Sequence, residues 1–183
     1  GAELILATHN NDDNVKTLTN SIPATILSAD LRNPLEIEKL ISETLETGNQ
    51  LDIIVNNAAL QNVENLSEID ADSWDAVLET NLRSIHLVMR AALPALEKSE
   101  NASVVNVVSI EGHQPARGHS HYSTSKAGLL MLTKSAALEY ADLGIRVNSV
   151  SPGVINAGLT KKILNSKELK KIKSEIPLNR LGE

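Results

Sequence analysis

Cysteine and phenylalanine are absent from this chain of 183 residues, and its only aromatic residues are Trp74, Tyr122 and Tyr140. Without cysteine there are no disulfides and no thiolate metal ligands, which favours a reducing compartment such as the cytoplasm. Apolar residues nevertheless make up 42% of the chain, enough to build the core of one globular domain. We therefore treat residues 1–183 as a single domain and each tyrosine as a candidate functional residue.

Positive charge and long apolar runs are also scarce. Seventeen basic side chains against 23 acidic ones give a net charge of −6, which argues against a nucleic acid partner, because binding phosphates requires clustered lysine and arginine. No apolar run approaches the ~20 residues of a membrane-spanning helix. The first residues also lack a basic leader followed by an apolar stretch. We expect no nucleic acid, no membrane and a cytoplasmic location.

Short apolar runs alternate with longer periodic segments along the chain. Short β-branched or apolar runs predict strands, and apolar residues three or four positions apart predict helices. The predicted strands are Leu4–Ala7, Ala24–Leu27, Leu51–Val55, Ser103–Val108 and Ile145–Val150. The predicted helices are Val15–Ile22, Leu35–Leu45, about Ala71–Leu96, and a long helix that starts near Tyr122. This alternation predicts an α/β fold, a Rossmann-type doubly wound parallel sheet with helices on both faces.

The carboxyl ends of the strands are where such folds bind their ligands. Four predicted strand ends carry polar or small residues, and we expect them to face one crevice. These residues are Thr8, His9, Asp30, Leu31, Asn57, Ala58, Ala59 and Ser109.

Tyr122 and Lys126 form the pair with the clearest chemistry. They are four residues apart at the start of a predicted helix, so their side chains lie on one face. An ammonium ~4 Å from the phenol, at an effective dielectric of ~20, contributes ~4 kcal/mol, which would lower the pKa of the phenol by about three units. We therefore predict that Tyr122 is an acid tuned by Lys126, with the Ser109 hydroxyl in the same crevice. Alone, the same spacing also arises when a tyrosine packs on a lysine stem.

In chain order, five segments closely resemble the short-chain dehydrogenase/reductase family, and the resemblance covers essentially the whole chain. The segments are Asn56-Asn57-Ala58-Ala59, Asn81, Val105–Ser109, Tyr122-Ser-Thr-Ser-Lys126 and Ile145–Gly153. The stretch from Tyr122 through Gly153 and the closing Ile176–Gly182 look most like the bacterial 3-oxoacyl-carrier-protein reductase and sugar or polyol dehydrogenase branch. The resemblance implies an oxidoreductase that transfers a hydride between NAD(P) and a carbonyl or secondary alcohol.

The resemblance also assigns catalytic roles. It implies that Tyr122 protonates the carbonyl oxygen during reduction and that Ser109 hydrogen-bonds the same oxygen. Lys126 would lower the pKa of Tyr122 and hold the nicotinamide ribose, and Asn81 would position a water in the proton relay. It further implies a homotetramer or homodimer, packed through the long helices that hold Asn81 and Tyr122.

Contacts with the cofactor follow from the same resemblance. Asp30 and Leu31 would lie beside the adenine. The ribose and nicotinamide path would run along Asn57, Ala58 and Ala59. The residues against the nicotinamide would be Pro152, Gly153 and Ile155.

The end of the first predicted strand bears on the choice between NAD and NADP. An acidic residue there accepts from the ribose 2′-hydroxyl of NAD and repels a 2′-phosphate. Thr8 occupies that place, and His9 and Asn10 follow it with donors for a phosphate. The sequence therefore favours NADP, while Asp12 and Asp13 leave NAD open.

The loop between Ser109 and Tyr122 is polar and rich in histidine. Under the family resemblance, Glu111 and His113 line the substrate side of the pocket, which favours a polar or hydroxylated small molecule. Its acidic and histidine residues also offer a metal-site alternative, but they lack the helical or hairpin spacing that fixes metal coordination. We therefore expect no metal.

Two parts of the family pattern are not found in this sequence. No Gly-x-x-x-Gly-x-Gly phosphate loop occurs, and Gly1-Ala2 matches the point just before the family's second strand. The end of the chain likewise precedes the family's last helix and strand. We expect a sheet with unpaired strand edges, and residues that belong to a longer polypeptide. The alternative function is a catalytically inactive fragment or scaffold of the same fold, with weak cofactor binding.

Lysines are concentrated near the C-terminal end. Six of the 17 basic residues lie within thirteen positions: Lys161, Lys162, Lys167, Lys170, Lys171 and Lys173. One interpretation is the solvated face of a surface helix. The other is a mobile lid over the crevice that attracts an acidic substrate or carrier protein.

Overall fold

A computed structural model describes residues 2–9, 22–48, 50–157, 160 and 166–183. Its strands are β1 Ile5–Thr8, β2 Thr25–Ser28, β3 Ile53–Asn56, β4 Ser103–Val107 and β5 Arg146–Val150. Its helices are α1 Pro34–Gly48, α2 Ala71–Leu78, α3 Ser84–Leu96, α4 Ser120–Glu139 and α5 Ser166–Glu175. The first and last residues of each predicted strand differ from those of an observed strand by at most two positions. The helix predicted over Val15–Ile22 falls outside the described residues except for Ile22.

All strand pairs in the described residues are parallel, which confirms the predicted α/β fold. β1 pairs with β2, while β3, β4 and β5 form a second sheet in that order. The register aligns Asn56 with Asn106 and Ser149, so the carboxyl ends of the three strands lie side by side. This edge of the second sheet carries most of the predicted site.

The hydrophobic core lies between the second sheet and helices α3 and α4. Val104 and Val147 of the sheet pack with Met89 and Leu96 of α3 and Leu129 of α4, all of them buried. Its aliphatic side chains agree with the absence of phenylalanine. The other face of this sheet is more open, since the exposed apolar residues include Ile53, Val55 and Val150.

A π-helical turn, Glu79–Arg83, interrupts the long helix that the sequence predicts over Ala71–Leu96. The segment starts at Asp70, whose carboxylate accepts the backbone N–H of Ser73 at 2.8 Å and caps α2. The π turn then separates α2 from α3 and buries Asn81 completely. Apolar periodicity predicts the helix but not this local change in winding, and such turns are frequent at functional sites.

No helix in the described part of the chain is long and apolar enough to cross a membrane.

Candidate active site

A buried polar chain ties the ends of β3 and β4 to α4. Asn56 donates to Oδ1 of Asn106 at 2.8 Å, and Asn106 donates to Oγ1 of Thr133 at 2.9 Å. Thr133 in turn donates to the carbonyl of Leu129, one turn earlier in α4. Because buried amides that lose a partner cost ~1–3 kcal/mol each, this chain fixes α4 against the strand ends. It thereby positions the first turns of α4, which carry Tyr122.

Tyr122 lies in the first turn of α4 with only 7% of its surface exposed. Burial raises the pKa of its phenol, the nearby Ser109 side chain lowers it, and the charge of Glu111 raises it; the net direction is upward. Ser109 comes two residues after β4 and caps a short 3-10 turn, Ile110–Gly112, by accepting the N–H of Glu111 at 3.1 Å. Ser109 and Tyr122, which the sequence predicts to share one crevice, thus lie near each other, and their joint role stays a prediction.

Lys126 is almost completely buried, one turn further along α4. Its ammonium donates to the carbonyl of Val107 at 2.8 Å and lies 5.7 Å from the centroid of the Tyr122 ring. Burial lowers the pKa of Lys126 from 10.5 to about 8. The predicted lowering of the Tyr122 pKa by Lys126 is wrong for this structure, because burial of the phenol outweighs the effects that favour its ionisation.

Asn81 connects the π turn to the segment that follows β3. Its Oδ1 accepts the backbone N–H of Leu60 at 2.7 Å, and its Nδ2 donates to the carbonyl of Leu60 at 2.8 Å and to Oγ of Ser125 at 3.0 Å. These three bonds use both amide hydrogens of Asn81. The side chain therefore clamps the backbone that follows Asn57, Ala58 and Ala59. The water relay remains a prediction.

The part of the candidate cofactor site that would hold the adenine lies after β1 and β2. Asp30 forms a salt bridge with Arg32, with 3.0 Å between Oδ2 and Nη2, and this contact is the main cause of a lowered Asp30 pKa. The backbone N–H of Asp30 donates to the carboxylate of Glu36 at 2.7 Å. The backbone carbonyl of Thr8 accepts the N–H of Ala29 at 2.9 Å. The carbonyl of His9 accepts the hydroxyl of Ser28 at 3.4 Å. Arg32 and Glu36 were not predicted, although they lie only two and six residues after Asp30. Asn10, Asp12 and Asp13 lie outside the described residues.

The part of the candidate cofactor site that would hold the nicotinamide combines residues after β3 and after β5. Asn57 and Ala58 are exposed, as is Gly153, whereas Ala59, Leu31, Pro152 and Ile155 are half-buried. The carbonyl of Pro152 accepts the N–H of Ile110 at 3.0 Å, which joins this segment to the turn after Ser109. Ile155 pairs with Gly182 in a parallel bridge, where a Cβ on Gly182 would collide with the Ile155 side chain.

The polar loop before α4 holds Glu111 through hydrogen bonds to its neighbours. Glu111 is held by His119, whose Nδ1 donates at 3.0 Å, and by the hydroxyl of Ser123, also at 3.0 Å. His113 is exposed and lies 3.0 Å from the Ser151 hydroxyl. His119 is therefore the imidazole partner of Glu111, a contact that sequence spacing does not reveal. That Glu111 and His113 line the substrate side of the pocket stays a prediction. In the part of the chain that the structure describes, no three histidine, aspartate or glutamate residues form a group suited to a metal ion.

The fold and this cluster define a Rossmann-type α/β protein with a serine, tyrosine and lysine at the strand ends. A family model described as Enoyl-(Acyl carrier protein) reductase matches residues 1–183. The chain belongs to the short-chain dehydrogenase/reductase family.

Individual relatives agree with this membership. The chain is 32% identical over 181 residues to the 3-oxoacyl-[acyl-carrier-protein] reductase FabG of Buchnera aphidicola, covering 98% of this chain and 74% of the relative. It is 35% identical over 148 residues to the FabG of Thermotoga maritima, covering 81% and 60% respectively. The crystal structure of a candidate short-chain alcohol dehydrogenase from Sinorhizobium meliloti aligns with a TM-score of 0.88 at 26% identity, covering all of this chain and 74% of that one. This sequence thus spans 60 to 74% of the length of these relatives.

Proposed function

We propose that this protein transfers a hydride between NAD(P) and a carbonyl or secondary alcohol, with Tyr122 as the general acid and base. The observation that carries the proposal is the meeting of Ser109, Tyr122 and Lys126 at the carboxyl end of β4. The names of the relatives differ in the bond reduced, an enoyl double bond or a 3-oxo group. A phenol and a hydroxyl side by side suit the oxygen of a carbonyl, which needs a proton as the hydride reaches its carbon.

The roles of the three residues follow from their hydrogen-bonding capacities. The Ser109 hydroxyl donates to the substrate oxygen, and Tyr122 gives that oxygen its phenolic proton in reduction or takes it back in oxidation. The nicotinamide, when bound, supplies or accepts the hydride. Lys126 carries three N–H donors, and in the described residues one of them binds Val107. The remaining two fit the hydroxyls of a ribose, so this residue suits a nicotinamide nucleotide.

NADP is the cofactor that we propose, with NAD as the alternative. Thr8 and His9 at the end of β1 place a hydroxyl and an imidazole where an acidic residue would select NAD. Asp30 and Leu31 form the adenine end, and Asn57, Ala58 and Ala59 lead to the ribose. The contacts with the nicotinamide come from the segment after β5, with residues Pro152, Gly153 and Ile155.

The substrate that we propose is a small, polar carbonyl compound or alcohol, with Glu111 and His113 on its side of the crevice. We also propose a homodimer or homotetramer. Exposed Met131 and Leu138 on α4 offer apolar surface for helix packing between subunits. The exposed lysines of α5 would attract an acidic substrate or carrier, and that attraction should weaken with salt.

Two tyrosine variants test the central claim. Tyr122→Phe should abolish NADPH-dependent reduction while leaving the affinity for NADPH, measured by fluorescence titration, nearly unchanged. Tyr140→Phe is the matched control, because Tyr140 lies at the opposite end of α4, and it should retain turnover. Full turnover in Tyr122→Phe would refute the mechanism. Absence of both NADPH binding and turnover in the unmodified protein would favour the inactive scaffold instead.

A further inference from the structure

Glu111 is a half-buried carboxylate fixed by three donor contacts. His119 Nδ1 lies 3.0 and 3.1 Å from its two oxygens, and the Ser123 hydroxyl donates to Oε2 at 3.0 Å. The exposed fractions of the Glu111 and His119 side chains are only 17% and 16%. A carboxylate held this firmly cannot turn freely toward solvent, so its negative charge stays in place beside the crevice.

Each group that holds Glu111 also adjoins Tyr122. Ser123 is the next residue in the chain, and the His119 ring packs edge-on to the Tyr122 ring with 6.4 Å between their centroids. The backbone N–H of Glu111 donates to the hydroxyl of Ser109, a side chain that lies close enough to the phenol to lower its pKa. The residues that hold the Glu111 carboxylate are thus the same ones that neighbour Tyr122.

We propose that Glu111 is a positioning residue whose fixed negative charge keeps the Tyr122 phenol protonated, and so favours Tyr122 as the proton donor of carbonyl reduction. A nearby negative charge destabilises a phenolate but leaves a neutral phenol almost unaffected. Burial is the largest cause of the raised pKa of Tyr122, and the charge of Glu111 acts in the same direction. The consequence for the direction of reaction rests on the proposed function, whereas the effect on ionisation does not.

The two directions of reaction need opposite states of the phenol. In reduction, hydride reaches the carbonyl carbon while the phenolic proton moves to the oxygen, leaving a phenolate. In oxidation, a phenolate takes the hydroxyl proton while hydride leaves the carbon. Because of Glu111, the phenolate that oxidation requires therefore forms only at higher pH.

Other charges near Tyr122 in the described residues come from four sites, and one of them is Glu64, whose carboxylate acts on the neighbouring His121 and accepts from the Ser73 hydroxyl. Lys126 lies beside the ring with its ammonium bound to Val107, and it opposes Glu111 in sign. His119 opposes Glu111 only when protonated. On the π turn packed against α4, Glu79 and Arg83 are paired with each other at the surface. The π turn, the 3-10 turn and the first turn of α4 otherwise present neutral groups, namely Asn81, Ser109, Ser125 and the imidazole of His121.

The scarcity of tyrosine makes this ionisation directly measurable. In a Tyr140→Phe background, Tyr122 is the only tyrosine. Biosynthetic replacement by difluorotyrosine lowers the phenol pKa toward neutrality, and ¹⁹F NMR then reports its titration while circular dichroism checks that the protein stays folded. We expect Glu111→Gln to move the midpoint down by ~0.5–1 pH unit. Glu111→Ala should act in the same direction, and Glu111→Asp, which keeps the charge, should remain nearer the unmodified value.

Glu36→Gln is the matched control, because Glu36 is also a half-buried carboxylate with two hydrogen bonds, but near Asp30. It should leave the midpoint unchanged. An unchanged or raised midpoint in both Glu111→Gln and Glu111→Ala would overturn the proposal, as would an equal shift in Glu36→Gln. If the protein turns over, the pH profile of alcohol oxidation in Glu111→Gln should move to lower pH by the same amount. Lack of turnover would refute the proposed function and leave the titration result standing.

Discussion

Replacing Lys126 by methionine should stabilise the protein while removing a residue that the proposed function needs. The Lys126 side chain is 1% exposed, and burial lowers its pKa from 10.5 to about 8. At ~1.4 kcal/mol per pKa unit, keeping this ammonium charged inside the fold at neutral pH costs ~3 kcal/mol. Methionine fills a similar volume without a charge but loses the hydrogen bond to Val107, worth ~1 kcal/mol. We therefore expect Lys126→Met to raise the free energy of unfolding at pH 7 by ~1–2 kcal/mol.

The pH dependence gives a sharper form of this prediction. Between pH 8 and 10.5 the unfolded state keeps the Lys126 proton while the folded state has released it. Because stability rises with pH wherever the unfolded state binds more protons, the unmodified protein should gain stability across this window, by up to ~1.4 kcal/mol per pH unit. Lys126→Met lacks this contribution, so its advantage should shrink as the pH rises, vanish at about pH 9 to 9.5 and reverse by ~1 kcal/mol at the upper end of the window, because the lost hydrogen bond then remains the only difference.

Urea unfolding followed by Trp74 fluorescence measures both effects, since Trp74 is the only tryptophan. The difference between the two proteins at each pH cancels the tyrosine ionisations that they share. Lys134→Met serves as the control, because Lys134 is exposed on the same helix and should change stability by less than ~0.5 kcal/mol. A destabilised Lys126→Met, or an advantage that does not change between pH 7 and 9.5, would refute the argument that the burial of this charge is costly.

Three further predictions concern the cofactor, the clamp and a buried imidazole. Thr8→Asp should shift kcat/KM in favour of NADH over NADPH by at least tenfold, about 1.4 kcal/mol, through repulsion of the 2′-phosphate; an unchanged ratio would place the ribose elsewhere. Asn81→Ala should lower the free energy of unfolding by ~2–3 kcal/mol, measured in urea, because the backbone of Leu60 loses both partners. His121 is fully buried, its ring nitrogens have no hydrogen-bond partner among the described residues, and burial lowers its pKa below 6.5. As the pH falls through 6.5, His121 binds a proton in the unfolded state before it does so in the folded state, so the stability of the unmodified protein should decline. The melting temperature should therefore fall between pH 7.5 and 5.5, and it should fall less in His121→Leu.

The strands and most helices follow from the sequence because their signals are local. β-branched runs such as Ser103–Val107 and the apolar spacing of Pro34–Gly48 are set by neighbours within a few residues. Within the described residues, the helix predicted over Leu35–Leu45 ends three residues before α1 does. The ends predicted for Ala71–Leu96 agree with the structure, but the sequence misses the π turn around Asn81 inside this segment. That turn depends on contacts with Leu60, 21 residues away, which no local pattern contains.

The sequence by itself determined the fold class, the family and the identity of the candidate catalytic residues. Ser109, Tyr122 and Lys126 belong to motifs whose order along the chain is enough to propose them as catalytic residues, and the carboxyl ends of parallel strands meet at one edge of the sheet. What only the tertiary structure decided is how each group is surrounded: the carbonyl of Val107 takes the ammonium, His119 takes the carboxylate of Glu111, and burial raises the pKa of Tyr122. Spacing along a helix gives the distance between two side chains, whereas a pKa depends on how much water and which charges surround a group. Those surroundings come from segments distant in sequence, and they exist only once the chain has folded.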